Sequence, residues 1–266
     1  MSQFWLRVTL ILYSIGLAHA LLTVFIRRAK LFRVALGAIS LAAVFHLVSI
    51  VEQAAATRRF PITDFHHSVS FLAFSITCAF LIAYARYRFQ ALSVFVFPLV
   101  FMLTLSAAVS SGARLEDPLL RSGWIWLHVL LLLAGYAMLF VTFAAGIMYI
   151  LQERELKSKK PRAFHYRLPP LEQLDDLAHK TLAAGFPLMT LGIISGALWA
   201  AAEWGSRWPL DPKIALSFVT WLIYLGLIFS RWTAGWRGRK AAYFAIAGFL
   251  ATVATWGANS GLHSFK

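Results

Sequence analysis

Trp124-Ile-Trp-Leu-His-Val-Leu-Leu-Leu-Leu-Ala-Gly-Tyr-Ala-Met-Leu-Phe-Val-Thr-Phe-Ala-Ala-Gly-Ile-Met-Tyr-Ile-Leu151 runs without an Asp, Glu, Lys or Arg. A helix needs about 20 apolar residues to cross a hydrocarbon core of about 30 Å. Lipid offers no partner to an open strand, so a run of this length reads as a transmembrane helix. Seven more runs share its character: Trp5–Ile26, Val34–Val51, Phe65–Ala85, Ala91–Ser110, Leu182–Trp199, Ile214–Ser230 and Ala241–Ala258. The expected fold is all-α, a polytopic bundle of about eight transmembrane helices.

The composition agrees. The 266 residues are 60% hydrophobic and 14% charged, against about half and a quarter in soluble domains. A net charge of +14 would suit nucleic acid, but the basic residues sit in short loops between apolar runs. Of the 25 Lys and Arg, 17 follow odd-numbered runs: Arg27, Arg28, Lys30 and Arg33; Arg86 and Arg88; seven between Arg154 and Lys180; then Arg231, Arg237, Arg239 and Lys240. Positive loops stay in the cytoplasm, so both termini are expected outside and the haunt of the chain is the inner membrane, with no nucleic-acid partner. Cys78 is alone, which excludes an internal disulfide and a CxxC redox site. The N-terminus lacks the pattern of a cleaved signal peptide, and Trp5–Ile26 is long enough to remain a span. In the long loop from Gln152 to Thr181, Leu171–Lys180 is expected to form an interfacial helix. Gly192-Ile-Ile-Ser-Gly196 is a small-xxx-small pair for close helix approach, more often within a chain than between copies.

This topology sorts the histidines. His128 opens the fifth span and His263 follows the eighth, both at the outer face, with the loop Glu203-Trp-Gly-Ser-Arg-Trp-Pro-Leu-Asp-Pro-Lys213 between them in sequence. Two neutral imidazoles on opposite sides of a flat macrocycle are a standard haem ligation. Arg114, Arg121, Arg207 and Lys213 share that face and could meet haem propionates. The plain alternative is that interfacial His and Trp simply anchor at the headgroups. His46 lies within the second span and His19 within the first; ionisable groups there point to function, or to a neutral ring bonded to a neighbouring helix. His66 and His67 read as interfacial, and His165 and His179 as solvated in the cytoplasmic loop. Nothing resembles a nucleophile, a general-base pair or a phosphate loop, so any catalysis acts by positioning.

Several stretches together resemble a known family. They are Ala184-Gly-Phe-Pro-Leu-Met-Thr-Leu-Gly-Ile-Ile-Ser-Gly-Ala-Leu-Trp199, Trp204-Gly, Trp208, Asp211-Pro-Lys213 and Thr220-Trp-Leu-Ile-Tyr224. Trp236-Arg-Gly-Arg-Lys-Ala-Ala242, Asn259-Ser-Gly-Leu-His-Ser-Phe265, Leu127-His128, Gly135-Tyr136-Ala137 and Phe60-Pro61 extend them. In that order they resemble the CcsA family of system II cytochrome c assembly, haem-handling membrane proteins with a tryptophan-rich (WWD) domain. The clear likeness covers residues 124–266, a haem-handling region with the outer loop 203–213. Residues 1–123, a four-helix membrane region, match more loosely.

The resemblance implies that His128 and His263 are axial ligands to the iron of a non-covalent, b-type haem, with Trp204, Trp208 and Asp211 in the loop against it; Arg207 of that loop joins the cofactor-binding set from its place on the same face. It implies a CcsB-like membrane partner and apocytochrome c as substrate, with haem presented at the outer face. The chain departs from the family at Leu210 and Ile214, where a Trp and a Glu are usual, and at Phe229, where active members carry an inner membrane His. Asp64-Phe65-His66-His67 also replaces the usual Asn-Leu-Tyr-Glu. These departures fit a HemX-like accessory or regulatory haem protein without ligation activity, the alternative function. His46 is the candidate for a second site.

Overall fold

A computed structural model describes residues 2–26, 29–57, 65–109, 123–158, 168–205 and 211–258. Their regular structure is helical throughout: α1 Ser2–Phe25, α2 Ala29–Thr57, α3 Phe65–Tyr87, α4 Ser93–Val109, α5 Gly123–Lys157, α6 Leu171–Trp204, α7 Pro212–Thr233 and α8 Arg239–Gly257. A single 3-10 turn, Gln90–Leu92, leads into α4. Helices α1 to α7 are long and apolar enough to cross a membrane, so the chain is a multi-pass membrane protein. The eighth helix opens on Arg239-Lys240 and buries Ala241, Ala242, Ala245, Gly248, Thr252 and Thr255. Small residues on that face let it lie close to α5 and α7.

The helices agree with the apolar runs to within a few residues at most ends. The large departure is α6, which begins at Leu171 rather than Leu182 and absorbs the segment expected to lie separately at the interface. The reason is tertiary. Leu174 and Leu177 are buried, and Thr181 shares a 2.8 Å hydrogen bond with Thr142 of α5, so the early turns already face the core. Pro169 and Pro170 precede the helix and set its start, as the residue before a proline is pushed away from helical geometry.

Contacts divide the chain into two compact units, Met1–Arg121 and Ser122–Lys266. In the first, α2 and α4 pack on α1, and α3 packs on α2 and α4. A Cβ built on Gly16 of α1 would lie 3.6 Å from the Phe97 ring of α4, and Phe97 meets Phe80 of α3 edge-on with centroids 5.1 Å apart. In the second unit, α5 pairs most extensively with α6, while α7 and α8 complete the bundle. Phe143 of α5 stacks on Phe249 of α8 at 4.5 Å, and the Trp221 indole N–H of α7 donates to Thr190 of α6 at 2.9 Å.

Glycines set the closeness of α5 and α6. A Cβ on Gly135 would lie 3.0 Å from the Met189 amide nitrogen and 3.1 Å from the Gly185 carbonyl oxygen. The two backbones therefore touch, as membrane helices do when small residues line their contact. Gly192 meets Leu132 of α5, and Gly196 meets His128. The small-xxx-small pair is thus used inside the chain.

Candidate functional site at the His128 end of the second unit

His128 stands near the start of α5 and faces the last third of α6. Its Nδ1 lies 2.7 Å from the Gly192 carbonyl oxygen. A carbonyl only accepts, so Nδ1 carries the proton and donates. In a neutral imidazole that assigns the ligating lone pair to Nε2. Metal-bound histidines usually show this arrangement, with the second ring nitrogen held by a carbonyl or carboxylate. The donor set therefore fits an axial haem ligand.

Asp211 marks the start of α7 at the same end of the unit. Its carboxylate accepts from the Lys213 and Ile214 amides at 2.9 and 3.3 Å, and Pro212 takes the first helical position. Asp-Pro is a sound helix opening, because the cap fills orphan N–H groups and proline lacks one. Asp211 is buried, and this cap fixes where the 203–213 loop rejoins the bundle. Trp204 closes α6, and Gly205 follows with φ +58°. His263, Trp208 and Arg207 lie outside the described residues.

His46 occupies a different setting, in the first unit. It is fully buried. Thr77 donates to the Ala73 carbonyl at 2.9 Å, so it accepts from the Tyr13 hydroxyl at 3.0 Å. The Tyr13 oxygen, 3.2 Å from Nδ1 of His46, then accepts the ring proton, and Nε2 accepts from Ser70 at 2.8 Å. Both ring nitrogens are used by α1 and α3. Metal ligation here would have to displace Ser70. His19 instead bonds the Ile15 carbonyl of its own helix at 2.9 Å, and His67 bonds Gln53 of α2.

The end of the second unit opposite His128 holds a feature that sequence reading missed. Arg231 of α7 grips Asp175 of α6 with both terminal nitrogens, at 3.1 and 2.8 Å, and its Nε donates to His179 Nδ1 at 3.2 Å. The Gly238 amide donates to the same carboxylate at 3.0 Å. His179 is thus a partner of Arg231 within α6, which corrects its reading as a solvated loop residue. Spacing offered one signal: Asp175 and His179 lie one turn apart on a helix face. Beside the ion pair, α5 to α8 enclose a cavity of about 10 Å³, lined by Thr142, Tyr149 and Ala245 among others. That is room for about one water, not for a macrocycle. Phe229 projects from α7 and is 61% exposed. Among the described residues, no three His, Cys, Asp or Glu are grouped to hold a metal ion.

Residues 34–263 match the family described as Cytochrome C assembly protein. The chain belongs to this family. Curated relatives bear the name Cytochrome c biogenesis protein CcsA. The one from Microcystis aeruginosa (strain NIES-843 / IAM M-2473) is 31% identical, over 77% of this chain and 79% of the relative. That from Gloeothece citriformis (strain PCC 7424) is 30% identical with the same coverage. A third, from Guillardia theta, is 27% identical over 98% of this chain and 92% of the relative. The expected likeness to CcsA proteins therefore holds, and the match takes in most of the first unit as well as the second. Membership of the CcsA group places both units in one framework of sequence.

Proposed function

We propose that this chain serves cytochrome c assembly by holding haem at the His128 end of the second unit. His128 and His263 would hold its iron, and Trp204, Arg207, Trp208 and Asp211 of the 203–213 loop would face it. The observation that carries the reading is the His128 imidazole, which donates from Nδ1 to Gly192 and so offers Nε2. Family membership supplies the class of reaction. When bound, the haem supplies the vinyl groups to which thiols of an apocytochrome c attach. The chain supplies orientation and axial ligation, together with apolar walls that exclude water. The haem is b-type and non-covalent, the membrane is the inner membrane, and the site faces its outer side. A CcsB-like membrane protein is the expected partner.

A second reading is an accessory or regulatory haem protein of the HemX-like kind. The position of Phe229 favours it. This residue stands where active CcsA proteins carry an inner histidine, yet it projects outward from α7. The cavity beside the Arg231–Asp175 pair is water-sized.

Both readings expect a Soret band from the purified protein, at about one haem per chain. His46→Ala should leave the ratio unchanged, since both ring nitrogens of His46 already serve the first unit. No Soret band would overturn both readings. A ratio near two that falls to one in the variant would reveal a second site. Orientation has its own test. A reporter active only in the cytoplasm, fused after Lys266, should be silent, because 17 of 25 basic residues follow odd-numbered runs. A strong signal would move the His128 end to the cytoplasm.

A further inference from the structure

We infer that Gly196 is the positioning residue for His128, and that its lack of a side chain fixes both the place and the tautomer of the imidazole. The inference rests on the haem-holding reading only for its consequence, since the geometry stands without haem. A Cβ built on Gly196 would lie 2.3 Å from Nδ1 and 2.4 Å from Cε1 of His128. No real Cβ approaches that closely, so the ring occupies the volume that any other residue would fill. Four residues earlier on the same face of α6, the Gly192 carbonyl receives the ring N–H at 2.7 Å. The two glycines divide the work: Gly196 provides the space and Gly192 the acceptor.

Neighbouring contacts make the seat specific. Ser195 Oγ also donates to the Gly192 carbonyl, at 2.9 Å, so that oxygen is held by a second donor from its own helix. Leu132, one turn along α5 from His128, packs on Gly192 at 2.8 Å from a built Cβ. The ring therefore cannot follow a Gly196 side chain away from α6 without losing its hydrogen bond. A methyl group at 196 would push Nδ1 off the carbonyl. Without that acceptor the tautomer is no longer dictated, and in water an imidazole prefers its proton on Nε2. The nitrogen meant to ligate would then carry a proton. A ligand that keeps its Nδ1–H bond to a carbonyl is also the more basic one, which stabilises ferric over ferrous iron.

Nitrogen-15 NMR of histidine-labelled, haem-free protein in detergent reads this directly. The wild type should show His128, assigned by its loss in His128→Gln, as the Nδ1–H tautomer. Gly196→Ala should lose that signature. Gly185→Ala is the matched control: its Cβ meets Met138 and Leu139 of α5 at 3.0 and 3.1 Å, crowding the same helix pair far from the ring. It should keep the Nδ1–H tautomer. Haem-loaded Gly196→Ala should lose haem, or show a reduction potential shifted to more positive values. An Nε2–H tautomer in the wild type overturns the inference, whether or not the variant folds. So does an unchanged tautomer in Gly196→Ala, or equal loss in Gly185→Ala. Loss of the tautomer in Gly196→Ala with haem content and potential unchanged supports the seat, and counts instead against haem ligation by His128.

Discussion

The double variant His128→Ala, His263→Ala should lose the Soret absorbance almost entirely when purified in the same detergent as the wild type. On the proposed reading His128 and His263 would both hold the iron, so removing both would leave only apolar contacts and propionate pairing. His128→Ala alone should weaken binding at least about tenfold, the lower end of what a lost second-shell partner costs in metal sites. It should also convert a six-coordinate spectrum to a five-coordinate one, because one imidazole remains. Removing the His128 ring also empties the space over Gly196. Since α5 and α6 touch through Gly135 and Gly185 further along, the helix pair should persist, and a thermal-unfolding control should confirm it. Unchanged haem content in the double variant would end the assignment. Loss in His128→Ala with none in His263→Ala would keep one ligand and require another for the second face.

The sequence makes some of this legible and hides the rest for physical reasons. Helices α1 to α5 can be found because a run of apolar residues longer than about 18 has few alternatives in lipid. The start of α6 is hidden because Glu172, Asp175, Asp176 and Lys180 look like a solvated charged face. Asp175 turns inward only because Arg231, 56 residues later, is placed to receive it. That pairing is a property of the bundle, with no local signal beyond the one-turn spacing of Asp175 and His179.

The site divides in the same way. His128 can be singled out from topology and from Leu127-His128, since an imidazole at the mouth of a span invites a ligand. Its seat cannot, because Gly-x-x-x-Gly reads the same whether a helix or an imidazole ring fills it. Only the structure shows that Gly192 meets Leu132 while Gly196 meets the ring. His46 is the converse case. An ionisable residue in a span points to function by default, but Tyr13, Ser70 and Thr77 lie 24 to 33 residues away from it along the chain. They give both of its ring nitrogens partners inside the first unit.

Arg231→Met should destabilise the second unit by about 3–5 kcal/mol, the usual cost of removing one member of a buried ion pair. The Arg231 side chain is 7% exposed and that of Asp175 17%, so little water is available to replace the lost partner. Asp175 would keep the Gly238 amide but lose both guanidinium bonds. Three segments would come apart together: the first turns of α6, the end of α7 and the turn into α8, which Gly238 enters with φ +65° against the Tyr149 ring. Asp175→Leu should be similarly damaging, because it strands a guanidinium whose remaining side-chain partner is His179. The double variant Asp175→Leu, Arg231→Met should recover much of the loss, since neither charge is then buried alone. Unfolding by heat or denaturant in detergent would report all three variants. Single variants within about 0.5 kcal/mol of wild type, the range of ordinary surface changes, would mean that the pair is no clamp and that the early turns of α6 are held by packing around Leu174, Leu177 and Thr181. Haem binding at the far end should survive a destabilisation that leaves the unit folded, because the His128 seat is built from α5 and the last third of α6. A loss of haem in proportion to the loss of stability would instead couple the two ends of the unit through α6.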